Sequence, residues 1–192
     1  MGKGRLEAFS DGVLAIIITI MVLELKVPHE AHLQALYQLI PVFLSYVLSF
    51  VYLGIYWNNH HHLLHTCHKV TGPILWANLH LLFWLSLIPV TTGWTGENHF
   101  ASLPSAVYGI VLLMAAIAYY ILQQVIILSQ GTESILKKAV GRDWKGNLSP
   151  ALYATAVVAA FWSTWLANGL YVLVALLWLV PDRRIERVLG GN

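Results

Sequence analysis

Apolar residues fall into long blocks along this chain, and the blocks are too long for strands. Segments stand at residues 6–25, 36–61, 72–94 and 104–128, and a last stretch covers 149–180. A helix rises about 1.5 Å per residue, and about 20 residues cross a bilayer. The last stretch is too long for one span and short for two. Asn168-Gly169 offers a helix stop inside it. The pattern therefore predicts two short helices there, 149–167 and 170–180, and six helices in all. Prolines agree with these limits. Pro28 ends the first segment and Pro181 the last. Pro73, Pro104 and Pro150 fall in first turns, where a missing N–H costs nothing, with Ser149 as the expected N-cap before Pro150. Pro41 and Pro89 lie inside their segments and are placed to kink them.

Composition adds the solvent. The 192 residues are 58% hydrophobic and 10% charged, against about 25% charged in a soluble domain. The fold class expected is an all-α integral membrane protein, a single domain over residues 1–192. The eight tryptophans and nine tyrosines suit membrane–water boundaries. Cys67, the one cysteine, excludes an internal disulfide and a thiolate zinc cage. Glu24 and Lys26 follow the first apolar run where a cleavage site would need small residues, so no signal peptide is expected.

Charge adds orientation. With the N-terminus in the cytoplasm, Lys3, Arg5, Lys69, Lys137, Lys138, Arg142, Lys145, Arg183, Arg184 and Arg187 are all cytoplasmic, and Lys26 alone faces out. Cytoplasmic loops favour Lys and Arg. An odd number of spans would expel the basic C-terminus, so six spans with both ends inside is the expected topology.

Polar residues inside apolar segments are costly in lipid and mark protein- or water-facing positions. Ser10 and Asp11 precede the apolar run 13–23. His60 and His61 lie near the cytoplasmic end of the second helix, and Asn78 and His80 near the cytoplasmic start of the third. These groups share a depth. Histidine and asparagine could supply donors to a carboxylate, so a cluster tying helix one to helices two and three is expected. The alternative is that each group reaches interfacial water alone. On a helical wheel Gly12, Ile16, Thr19 and Leu23 fall within about 60° of one another, and Ser10 and Asp11 point away. Taken as a pattern, that apolar stripe reads as a surface toward lipid or another helix.

"RLEAFSDG" contains Arg-x-x-x-Phe-Ser-Asp, formed by Arg5, Phe9, Ser10 and Asp11. It resembles the first-helix signature of the transmembrane-protein-175-type potassium channels. "YWNNHH" in helix two, with Trp57 and His60–His61, and the short final hairpin are similar too. The resemblance spans essentially the whole chain, with one six-helix repeat as in prokaryotic members. It implies a homotetramer in the plasma membrane of a prokaryote, with helix one lining a central pore and potassium as the permeant ion. It implies no cofactor, no nucleic-acid partner and no re-entrant loop or TVGYG filter, and the sequence contains no TVGYG. The bulky aliphatic residue five positions after the motif aspartate, here Ile16, would form the constriction, with Thr19 and Leu23 beyond it. Arg5, Phe9, Ser10 and Asp11 would anchor helix one against its neighbours.

Three rivals remain on the sequence. His61, His65 and His68 are spaced i, i+4, i+7 and could hold a transition metal if helix two continues that far. That would suit a metal transporter or sensor, although a transport site belongs near the midplane. An intramembrane enzyme lacks a visible nucleophile–base pair. A non-conducting membrane protein would share the same composition.

Overall fold

The computed structural model describes residues 2–28, 31–131, 136 and 144–179. Six of the basic residues assigned to the cytoplasm (Lys137, Lys138, Arg142, Arg183, Arg184 and Arg187) and the stop at Pro181 lie outside them. The described elements are helices: α1 (Lys3–Leu23), α2 (Leu33–His65), α3 (Gly72–Ser86), α4 (Ile88–Glu97), α5 (Ser102–Gln130), α6 (Trp144–Ala159) and α7 (Thr164–Leu179). Among the described residues, four helical stretches are long and apolar enough to cross a membrane: α1, α2, the α3–α4 unit Gly72–Glu97, and α5. α6 and α7, at 16 residues each, span about 24 Å, less than the roughly 30 Å hydrocarbon core.

The third segment departs from one straight helix. It continues to Glu97 and is divided at Leu87. Pro89 has no N–H to offer Leu85, and its ring crowds that carbonyl. Leu87 keeps right-handed angles (φ −86°, ψ −11°), and Thr91 N–H resumes the ladder onto the Leu87 carbonyl at 3.2 Å. The proline kinks the span without ending it. Pro41, by contrast, lies inside an unbroken α2.

The final hairpin corrects the expected boundary. The chain turns at residues 160–163, and Asn168-Gly169 lies inside α7. The Asn168 side chain does not stop the helix because its amide is used elsewhere. It donates to the Thr164 carbonyl (2.8 Å) and to Ser105 Oγ on α5 (3.3 Å). The operative start signal is Ser163, whose Oγ accepts from Leu166 N–H at 3.4 Å, an N-cap bond. The turn carries Phe161, Trp162 and Trp165, all exposed. Ser149 is likewise no cap. α6 starts five residues earlier, at Trp144, with Pro150 inside it. Ser149 Oγ donates to the Lys145 carbonyl (2.8 Å) and accepts from Trp178 Nε1 (2.8 Å).

α1 lies against α2, α3 and α4, while α5 packs on α3, α4, α6 and α7. Lipid tails are as apolar as leucine, so close packing and interhelical hydrogen bonds hold helices together in a bilayer. Both devices are present. The Tyr52 hydroxyl donates to the Tyr171 carbonyl (2.6 Å), and the Tyr171 hydroxyl donates to the Ser105 carbonyl (3.1 Å). Ser49 Oγ bonds Thr92 Oγ1 (2.6 Å) and the Tyr108 hydroxyl (3.0 Å). At Gly109 a Cβ would overlap the Tyr171 hydroxyl, and at Gly96 it would come within 2.7 Å of Val42 Cα. These two glycines let α7 approach α5 and let α4 cross α2.

Candidate ion pathway and its anchor

α1 is a helix with two unlike faces. Its buried face carries Leu6, Ser10, Leu14, Ile17 and Met21. Wrapped at about 100° per residue, this set centres roughly 150° from the Gly12–Ile16–Thr19–Leu23 stripe. All four stripe residues are exposed, Ile16 to 59% and Leu23 to 81%. Among the described residues no element covers the stripe, and a Cβ on Gly12 would meet nothing within 4 Å. Thr19 Oγ1 donates back to the Ile16 carbonyl at 2.8 Å. Its proton is used within the helix, so its lone pairs are what it presents outward.

A buried polar chain grips the opposite face. Ser10 Oγ donates to the Leu6 carbonyl (2.9 Å) and accepts from Asn78 Nδ2 (3.0 Å). Asn78 Oδ1 then meets His60 Nε2 at 2.7 Å. An amide oxygen only accepts, so His60 carries its proton on Nε2 in this arrangement. All three side chains are buried. They join α1, α3 and α2 at one depth, and each link leaves a costly orphan if broken.

Asp11 stands beside this chain, not in it. It is exposed, and its Oδ1 accepts from Trp57 Nε1 on α2 at 3.0 Å. The wheel explains the difference. Asp11 is about 110° from the stripe, on the flank, whereas Ser10 is about 150° away and at the centre of the buried face. The buried hydroxyl, and not the carboxylate, meets Asn78, and through Asn78 it is linked to His60. His61 lies outside the cluster, exposed and stacked on Trp57 with ring centroids 6.4 Å apart. His80 also lies outside, accepting from Trp84 Nε1 of its own helix at 3.0 Å. Arg5 and Phe9 are exposed. The Arg5 side chain has no hydrogen bond or ion pair among the described residues. Lys3, which the motif does not include, donates to the last-turn His65 carbonyl of α2 at 2.7 Å, where a cation suits the helix C-terminus.

The histidine spacing that suggested a metal does not survive as a helical face. α2 ends at His65 and Thr66 caps it, so His68 is carried on a following loop. Among the described residues, no group of three or more histidine, cysteine, aspartate or glutamate side chains is placed to hold a metal ion.

Past Leu23 the stripe opens onto a groove of about 670 Å³ lined by Leu23, Glu24, Lys26, Trp94 and Glu97. Lys26 Nζ lies 2.6 Å from Glu97 Oε1 in an exposed pair. Glu24 is seated against Gly93, where a Cβ would come within 3.1 Å of Oε2. A carboxylate therefore lies just past the last turn of α1, turned toward α4.

Comparison with known proteins adds the family. Residues 5–89 match the family described as endosomal/lysosomal potassium channel TMEM175. A potassium channel of Chryseobacterium sp. (strain P1-3) is 58% identical over 192 residues, the full length of both chains. The chain belongs to the TMEM175 family. Its fold matches the crystal structure of a lysosomal potassium-selective channel TMEM175 homolog from Chamaesiphon minutus. The TM-score is 0.79 at 28% identity, over 94% of this chain and 97% of that one. An endosomal/lysosomal proton channel TMEM175 of Gallus gallus is 34% identical over 109 residues, 50% of this chain and 22% of that protein. The family is one of multi-pass membrane channels, not of enzymes.

Proposed function

We propose that the chain is one subunit of a homotetrameric potassium channel of a prokaryotic plasma membrane, with α1 lining the pore and Ile16 forming a hydrophobic constriction. Each subunit would contribute six spans, with both termini cytoplasmic. The carrying observation is the division of α1. One face is locked into its own chain by the Ser10–Asn78–His60 bonds, and the other presents Ile16, Thr19 and Leu23 uncovered.

One stripe supplies a quarter of a ring, so conduction needs four copies around an axis. Four Ile16 side chains would then stop ions by dewetting, and opening would need only a small outward shift or rotation of α1. Isoleucine has no oxygen to replace an ion's hydration. Selectivity would come from how readily each ion deforms its water shell, which favours potassium over sodium to a modest degree. Thr19, with its proton turned inward, would offer lone pairs just beyond. Glu24 at the outer end would concentrate cations. Arg5 and Phe9, bare on the single chain, would find their partners on a neighbouring subunit.

Potassium is assigned as the permeant ion because the relative matched over its full length is named a potassium channel. The relative named a proton channel matches half of this chain. Planar-bilayer recording tests both points, with potassium and sodium on opposite sides and then a pH gradient at fixed potassium. The expected result is a reversal potential that follows potassium and larger currents in Ile16→Ala. Currents that followed only the pH gradient, or no current in either protein, would overturn the proposal.

A further inference from the structure

A second site lies behind the proposed pore, between α2, α5, α6 and α7. There a cavity of about 50 Å³ is walled by Tyr52, Tyr56, Tyr119, Tyr153 and Trp178, with half-exposed Tyr120 at its edge. Two polar side chains line it without a partner. Gln123 is 5% exposed and Tyr56 is 8% exposed. Among the described residues, neither the Gln123 amide nor the Tyr56 hydroxyl makes a hydrogen bond, and neither is sealed from water in the way Thr95 Oγ1 and Gln130 Oε1 are. Polar groups so placed are satisfied by whatever shares the space with them, water included, so the pair is open to a polar group that enters the cavity.

The lining defines its chemistry. None of the side chains named is a full charge, and an ion moved there would lose its hydration without a counter-charge. The occupant is therefore neutral. A hydroxyl both donates and accepts, which matches a phenol and a carboxamide facing one space. The volume holds about three waters at roughly 15 Å³ each. That is room for the end of a short chain, not for a sterol. Any longer molecule must leave its tail outside, past Tyr120, where α5 shows Ile121 at 37% exposure in a helix apolar enough to sit in lipid.

We infer that this cavity binds a neutral, lipid-soluble alcohol, its hydroxyl held between Tyr56 and Gln123 and its alkyl chain running out past Tyr120 into the bilayer. The site is independent of which α1 face lines the pore.

The test uses the full-length channel in lipid nanodiscs and a photoactivatable octanol with its diazirine near the hydroxyl. Adducts are mapped by mass spectrometry and competed with 1-octanol, octane and octanoate. Expected are saturable adducts on the peptides carrying Tyr56, Gln123 or Tyr153, displaced by octanol but not by octane or octanoate. Gln123→Leu, close in shape, should weaken octanol competition about tenfold, the worth of one good hydrogen bond. Ala116→Leu, which narrows the cavity, should abolish labelling. Non-saturable labelling, equal competition by octane, or an unaltered Gln123→Leu channel would each overturn the inference. The three-competitor comparison on the unmutated protein stands even if a variant fails to fold.

Discussion

The two faces of α1 differ in what they ask of their neighbours. The Ser10 face is committed within its own chain, because Ser10, Asn78 and His60 form one hydrogen-bonded line across three helices. The Ile16 face makes no comparable commitment, and its residues are among the more exposed apolar positions in the molecule. In lipid an apolar side chain gains little by leaving the bilayer, whereas a buried amide without a partner loses much. The polar face therefore sets where α1 stands, and the apolar face is left to act toward whatever lies beyond the subunit. A pore-lining helix needs this asymmetry: one side rigidly indexed, the other free of internal partners.

Breaking the anchored face should have the largest effect. Asn78→Leu leaves the His60 Nε2–H buried without its acceptor, at about 1–3 kcal/mol, while Ser10 keeps only its bond to the Leu6 carbonyl. The variant should lose a few kcal/mol of stability, read as a lower melting temperature in detergent or nanodiscs. Its unitary currents, if the surviving channels are recorded, should keep their selectivity. A change of selectivity with undiminished stability would reverse the roles of the two faces.

Altering the free face should do the opposite. Ile16→Ala is expected to leave the stability within about 0.5 kcal/mol of the parent, as for an exposed position. Currents should rise about tenfold, equivalent to about 1.4 kcal/mol off the barrier, and potassium should lose some of its advantage over sodium. Single-channel recording beside thermal melting separates the two effects.

Asp11 stands between the faces and should give an intermediate result. Its bond to Trp57 is exposed, so Asp11→Ala should cost the single-chain fold about 1 kcal/mol at most. Loss of the tetramer on native mass spectrometry would place the larger part of its role between subunits. A stable tetramer with altered selectivity alone would remove Asp11 from the anchor.

Cys67 supplies the smallest contrast. It is buried in the loop after α2, and burial pushes its thiol above the ordinary value. The reactive thiolate is therefore scarce at neutral pH. A polar maleimide should label the folded channel more slowly than the same protein in denaturant, since burial leaves less of the thiol ionised and less of it accessible. Equal rates would mean that the α2–α3 connection opens freely.

Much of this was legible in the chain. Long apolar blocks announced membrane helices, because a bilayer demands uninterrupted apolar length. The shared depth of Asp11, His60, His61, Asn78 and His80 followed from the alternating direction of consecutive spans. Other features were misread for local reasons. Asn168-Gly169 has the form of a helix stop, but Asn168 donates to Thr164 and Ser105 instead. His68 holds the right spacing for a metal face, but the helix ends before it. Asp11 attracts attention as a charge, yet the smaller Ser10 occupies the centre of the packed face.

By itself, the sequence determined the solvent, the helical class, the family resemblance and the wheel position of Ile16, Thr19 and Leu23. Those properties depend on residue type and on the 3.6-residue period, and both are written along the chain. Only the tertiary structure decided which side of α1 is covered, which of Ser10 and Asp11 reaches Asn78, where the last hairpin turns, and that Tyr56 and Gln123 line one cavity. Each of these depends on which helix lies beside which. That choice is made by close packing and by the pairing of polar groups distant in sequence, and no local pattern encodes it.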